Sequence, residues 1–158
     1  VTDEARPTAA RALRVWTTST EDETRALGRR LAVELADDAV LLLEGEMGSG
    51  KTVFVQGLAE GLGIEAREVQ SPTYTLVHEH RGPSMRLPHL DLYRLEEDEF
   101  DASGLGEMWE ERAIKAVEWA ERLPAEYRSG RRFVFEHCEG ECRRIEEWEV
   151  AALREVRR

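Results

Sequence analysis

The residues Gly45-Glu46-Met47-Gly48-Ser49-Gly50-Lys51-Thr52 match the pattern G-x-x-x-x-G-K-[ST] at every fixed position. Each residue type has a chemical reason to be there. Glycines let the backbone curl so that successive N–H groups point inward at phosphate oxygens. A helix opening at that point adds the positive end of its dipole. The Lys51 ammonium would reach the β- and γ-phosphates, and the Thr52 hydroxyl would ligate Mg²⁺. Lysine is scarce here: Lys51 and Lys115 are the only two among 22 basic residues. Chemistry on a magnesium nucleotide also needs carboxylates at nearby strand ends. Asp91 follows Leu87-Pro88-His89-Leu90, and Glu118 follows Ile114-Lys115-Ala116-Val117. One would hold Mg²⁺ through water and the other would polarise the attacking water. Order along the chain does not assign the two roles.

Other residues carry weaker signals. Thr73, in Ser71-Pro72-Thr73-Tyr74, is either a turn threonine or a γ-phosphate sensor of the switch type. Trp119 is either core or part of a contact surface. His78, His80 and His89 alternate along two apolar runs with no cysteine beside them, a weak metal pattern. Arg128, Arg131, Arg132, Arg143 and Arg144 crowd the C-terminal part. Most fit a solvated face, with room for one adenine- or phosphate-side contact.

The elements that must position these groups follow from hydrophobic period. Leu13–Thr17 alternates as a strand. Ser19 or Thr20 is placed to cap a helix whose first turn holds Glu21, Asp22 and Glu23. Leu27, Leu31 and Leu35 give that helix one apolar face, through about Leu35. Val40–Leu43 reads as a buried strand, and Lys51–Leu62 as a helix ended by Gly63. Strand, glycine-rich turn, helix is the context the phosphate motif requires. Tyr74–His80 and Arg86–Tyr93 read as two strands joined by a turn at 81–84, with Pro88 arguing for an edge or a bulge. Glu96–Glu111 is acidic and helical in pieces around Gly104 and Gly106. Ala113–Val117 is a further strand, and Arg131–Glu136 with Arg144–Val150 forms a terminal hairpin around Gly140. Alternating strands and helices predict one α/β domain with a central, partly parallel sheet. Residues 1–12 read as a loose tail, and 13–158 as the domain.

Composition narrows the function classes. The 158 residues suit one domain, at about 100–200 residues per domain. The longest apolar run, Ala39–Leu43, is far short of the roughly 20 residues of a membrane span, so no membrane role is expected. No secretory pattern opens the sequence, which predicts a cytoplasmic protein. The net charge of −11 argues against autonomous nucleic-acid binding. Cys138 and Cys142 are spaced C-x3-C, unlike the common zinc and redox pairs. They read as two ordinary thiols in a reducing compartment.

Taken together, GEMGSGKT, SPTYTLVHEH, HLDLYRL and VEWAERLP, in that order, resemble the TsaE (YjeE) family. This is a family of small bacterial P-loop ATPases needed to form threonylcarbamoyladenosine in tRNA. The resemblance runs from about Ser19 to Arg144. It implies a three-layer P-loop NTPase-like fold with a mixed, mostly parallel central sheet flanked by helices. It implies that Glu46, Met47, Gly48, Ser49, Gly50, Lys51 and Thr52 cradle ATP, with ADP as product and Mg²⁺ as cofactor. It marks Thr73 as switch-like, Asp91 and Glu118 as site acids, with Glu118 at the Mg²⁺ site, and Trp119 as lying near the nucleotide. The family's late arginine best matches Arg144, with Arg143 one position away, and its first strand-to-helix turn near the base matches Thr18–Thr20. His78 and His80 depart from the common Asn and Tyr.

The resemblance also implies a mechanism. ATP hydrolysis would drive or reset two protein partners, TsaB and TsaD, and tRNA would be met only through them. Two alternatives use the same phosphate turn. A small-molecule kinase would need an Arg-bearing lid, and the acidic 96–111 segment does not supply one. A scaffold without turnover would not need Lys51, Thr52, Asp91 and Glu118 together. No guanine-reading N-K-x-D segment is present, which favours ATP by family analogy.

Overall fold

The computed structural model describes residues 11–65, 67, 69, 76–96 and 98–151. The expected strand start at Tyr74, the Ser71-Pro72-Thr73 punctuation and most of the N-terminal tail lie outside these residues.

Among the described residues seven strands form one sheet: β1 Arg14–Thr18, β2 Val40–Gly45, β3 Val77–Arg81, β4 Arg86–Asp91, β5 Lys115–Glu118, β6 Gly130–His137 and β7 Arg143–Val150. Their order across the sheet is β1-β7-β6-β2-β5-β4-β3. The centre, β6-β2-β5-β4, is parallel, and the outer pairings are antiparallel. Alternate residues of β2 face opposite layers. Leu41 and Leu43 pack with Leu27 and Leu31 of α1 (Glu21–Ala32) and with Phe54 and Leu58 of α2 (Lys51–Gly61). Leu42 packs on the other face with Phe100 of α3 (Glu99–Ala102) and Leu105 of α4 (Leu105–Trp109). Central strands buried on both faces read as continuous apolar runs, which explains Val40–Leu43.

Local chemistry sets the element ends. The Thr20 side chain accepts a hydrogen bond from the Glu23 N–H at 3.1 Å and caps α1. Such a cap contributes about 1 kcal/mol. The helix stops at Ala32 rather than near Leu35. There Glu34 and Leu35 donate to the Leu31 and Ala32 carbonyls in tighter three-residue turns. Leu35 still packs on the core from the turn beyond.

Two further expectations fail. Pro88 does not mark an edge, because β4 has β3 on one side and β5 on the other. The missing N–H is tolerated because the registered pairing with β5 begins only at His89. Cys138 and Cys142 are not separate thiols; they form a disulfide. The β6–β7 hairpin brings their Cα atoms to 5.0 Å, within the disulfide range of about 4.4–6.8 Å.

Helices α1 and α2 carry two walls of the cleft described below, and they touch backbone to backbone. A Cβ at Gly57 would lie 2.0 Å from the Arg25 carbonyl oxygen, and one at Gly28 would lie 2.3 Å from that of Phe54. Overpacking such a seam costs about 1–3 kcal/mol. Gly57→Ala is therefore expected to lower the urea unfolding free energy by about that amount. An unchanged midpoint would contradict this close approach.

Candidate functional site

The carboxyl ends of β2, β5 and β4 converge on a cleft of about 780 Å³. Open α/β sheets bind ligands at such strand ends. The turn after β2 supplies the cleft floor. Gly50 has φ 104°, a backbone conformation that side-chain-bearing residues rarely adopt. That conformation joins the turn directly to the first residue of α2. Gly48, Gly50, Lys51 and Thr52 all line the cleft.

Lys51 is held ready. Its ammonium donates to the carbonyls of Gly45 at 2.5 Å and Glu46 at 2.9 Å. Its Nζ lies 4.6 Å from the centre of the Trp119 ring. Burial lowers the lysine pKa below 10.5, while Glu118, Glu121 and Asp91 oppose that shift. Trp119 follows β5 with φ 56°, left-handed backbone for a bulky residue. Such a conformation costs on the order of 1–3 kcal/mol and tends to cluster at functional sites. Here it carries the indole over Lys51 and within 4.8 Å of the Tyr93 ring.

The two acids sit side by side. Parallel pairing of β4 and β5 puts Asp91 in register with Glu118 and sets His89 one pleat earlier. Thr52 Oγ1 donates to Glu118 Oε1 at 3.0 Å. The other carboxylate oxygen, Oε2, lies 2.5 Å from His89 Nε2. Asp91 Oδ1 accepts the Tyr93 N–H at 3.0 Å. Thr52, Asp91 and Glu118 thus offer three hard oxygen donors at one place, the donor type Mg²⁺ prefers. The charge balance agrees. The lining contains Glu21, Asp22, Asp91, Glu118 and Glu141 against Lys51, Arg94 and Arg143. So acidic a lining fits a phosphate chain that carries a divalent cation.

The structure sorts the remaining expected residues. Met47 lines the cleft and is 72% exposed. Glu46 faces solvent and contributes its backbone carbonyl to Lys51. Ser49 is buried, and its N–H bonds the Glu46 carbonyl at 3.1 Å. Thr18 lies behind the wall, its hydroxyl 2.7 Å from that of Thr24, which does line the cleft together with Thr20. Arg144 is not among the lining residues and pairs with Glu146 and Glu136. Arg143 does line it, donating to the Gly48 carbonyl at 3.3 Å. Alternation in β7 turns neighbouring side chains to opposite faces, so one step in register decides between them. Thr73 lies outside the described residues.

Sequence reasoning missed the His89–Glu118 contact and the cleft positions of Tyr93, Arg94 and Glu141. Tyr93 and Arg94 stand inside the HLDLYRL block, so that block held their signal. The histidine contact spans 29 residues, and only strand register reveals it.

The matched family profile is described as "Threonylcarbamoyl adenosine biosynthesis protein TsaE" and covers residues 18–145. A Bacillus subtilis protein named tRNA threonylcarbamoyladenosine biosynthesis protein TsaE is 43% identical over 115 residues, 70% of this chain and 72% of that one. A Synechocystis protein of the same name is 46% identical over 101 residues, 61% of this chain and 64% of that one. The crystal structure of Bacillus subtilis YdiB superposes with a TM-score of 0.70 at 30% identity, covering 90% of this chain and 88% of that one. No helix among the described residues is long and apolar enough to cross a membrane.

One titration is open to test beside the site. Burial holds the His80 imidazole below its ordinary value of 6.5, and His89 and His78 push the same way. On acidification the unfolded chain therefore takes up this proton before the folded chain does. The stability involved is present above 6.5 and is lost as pH falls below it toward the folded value. Urea midpoints are expected to drop between about pH 7 and pH 5, and to drop less in His80→Phe. Equal slopes in the two proteins would contradict the assignment.

Proposed function

The chain belongs to the TsaE family, whose role is in tRNA threonylcarbamoyladenosine biosynthesis, and from that premise we propose that it is a magnesium-dependent ATPase. It hydrolyses ATP to ADP to drive or reset a TsaB–TsaD pair and does not itself transfer the threonylcarbamoyl group. The observation that carries this proposal is the hydrogen bond joining Thr52, next to Lys51 at the end of a glycine-rich turn, to Glu118 at the end of β5.

Mg²⁺, when bound, neutralises phosphate charge and polarises the phosphoryl oxygens. The chain's own groups do the rest. Backbone N–H groups of the turn and the amino end of α2 bind the phosphates. Lys51 exchanges its carbonyl partners for phosphate oxygens. Thr52 and Glu118 would hold the metal. Asp91, beside Glu118 and outside the Thr52 bond, orients the attacking water and accepts its proton. Arg143 adds positive charge from the hairpin side of the cleft.

Charge supports action through protein partners. At −11 the chain has no electrostatic advantage on tRNA, whose phosphates call for clustered Lys and Arg. A small-molecule kinase is disfavoured because the 98–111 segment packs Phe100 and Leu105 into the core and carries acidic charge that would repel phosphate.

Lys51→Ala is expected to weaken ATP binding about 10–100-fold, from a charged hydrogen bond worth about 1.5–3 kcal/mol. Asp91→Asn is expected to keep ATP affinity and slow hydrolysis about 10²–10⁴-fold. Both are read by calorimetry and phosphate release, with and without purified TsaB and TsaD. Unchanged ATP affinity in Lys51→Ala would overturn the site assignment. Turnover indifferent to both partners would overturn their role.

The hairpin arginines give a separate check. Arg143→Ala is expected to weaken ADP binding about tenfold, as loss of a charge-assisted contact does, and Arg144→Ala to leave it unchanged. The reverse order would move the nucleotide to the other face of β7.

A further inference from the structure

Glu118 is 3% exposed and stands in register with a second carboxylate, Asp91. Two like charges side by side push apart, and a glutamate side chain has rotamers to escape into. Something must hold its carboxylate toward Thr52. His89 is placed to do so. It lies on β4 two residues before Asp91, on the same face of the sheet. Its ring is fully buried, at 0% exposure, and its Nε2 lies 2.5 Å from Glu118 Oε2. The remaining oxygen, Oε1, then meets the Thr52 hydroxyl.

The rest of the His89 ring argues against a packing role. Its Nδ1 is buried and has no hydrogen-bond partner among the described residues. An unsatisfied buried nitrogen is a cost that an apolar side chain of similar size would avoid. The ring of His80 stands 6.2 Å away, and its Nε2 is likewise buried and without a hydrogen-bond partner among the described residues. His80 thus backs the ring from the side remote from Glu118. An imidazole kept here under such a penalty is explained by what its Nε2 does.

We propose that His89 is a positioning residue, fixing one oxygen of Glu118 so that the other faces Thr52 and the metal side of the cleft. It touches neither nucleotide nor reacting atoms. The proposal rests on the magnesium–nucleotide reading of the cleft, and it predicts where a His89 substitution acts. Loss of the bond frees Glu118 and weakens Mg²⁺ capture. It leaves the phosphate turn, and so metal-free nucleotide binding, as it was. Groups that hydrogen-bond a metal's ligand commonly affect metal affinity by about 10–100-fold.

The test compares the unsubstituted chain, His89→Gln and His89→Asn by calorimetry. ADP is titrated first in the absence of Mg²⁺, and Mg²⁺ is then titrated into the ADP-saturated protein. Glutamine carries an amide N–H about where Nε2 sits, whereas asparagine places it near Nδ1, out of reach of Glu118. The expected result is equal metal-free ADP affinity in all three. Mg²⁺ affinity should fall about 10–100-fold in His89→Asn and be largely restored in His89→Gln. Equal Mg²⁺ affinity in all three, or a parallel loss of metal-free ADP binding in both variants, would overturn the proposal. No ADP binding by the unsubstituted chain is a different failure, that of the nucleotide reading itself. Should neither variant fold, side-chain ¹H–¹⁵N spectra of the unsubstituted protein decide. A hydrogen-bonded His89 Nε2 proton whose shift moves in Glu118→Gln supports the proposal, and an Nε2 indifferent to that change overturns it.

Discussion

The hydrogen bond from Thr52 to Glu118 joins two parts of the molecule that sequence keeps 66 residues apart. On one side is the glycine-rich turn and the amino end of α2. On the other is the end of β5. Everything that positions the cleft serves this junction. Parallel pairing of β2 with β5 brings the strand ends level, with Leu43 opposite Glu118. Pairing of β5 with β4 then places Asp91 beside Glu118. The backbone contact between α1 and α2 sets the opposite wall, where Thr20 and Thr24 stand. A shift of one residue in any of these registers would turn the acids to the wrong face.

Buried acid and buried lysine are each costly alone. Here Lys51 is 5% exposed and Glu118 is 3% exposed, at the same end of the sheet. Each is supplied with partners: carbonyls and an indole face for the lysine, a hydroxyl and an imidazole for the acid. The strained backbone of Trp119 belongs to the same arrangement, since it delivers the indole to the ammonium. Each buried charge is thus matched by polar or aromatic partners within the fold, which offsets the cost of its burial.

Much of this was legible in the sequence because it is local. The turn Gly45–Thr52 and its flanking strand and helix are contiguous, and the Thr20 cap with its acidic first turn is a short-range pattern. The end of α1, the interior position of β4 despite Pro88, and the choice between Arg143 and Arg144 were not legible. Each depends on pairing between distant strands or on how the last turn tightens. The same holds for His89. It stands in the HLDLYRL block, but only the register of β4 on β5 shows that it meets Glu118. The disulfide was missed for a related reason: C-x3-C is an uncommon pair, and the hairpin that closes it exists only in the fold.

The central claim is that the turn at Gly45–Thr52 holds phosphate with a divalent cation at Thr52 and Glu118. A crystal structure of the protein with ADP and Mn²⁺, with the metal located by its anomalous signal, tests it most directly. The account predicts the terminal phosphate of ADP inside the turn, the metal next to Thr52 and Glu118, and the Lys51 ammonium moved from the Gly45 and Glu46 carbonyls to phosphate. A nucleotide bound elsewhere, or a metal far from Glu118, would contradict it.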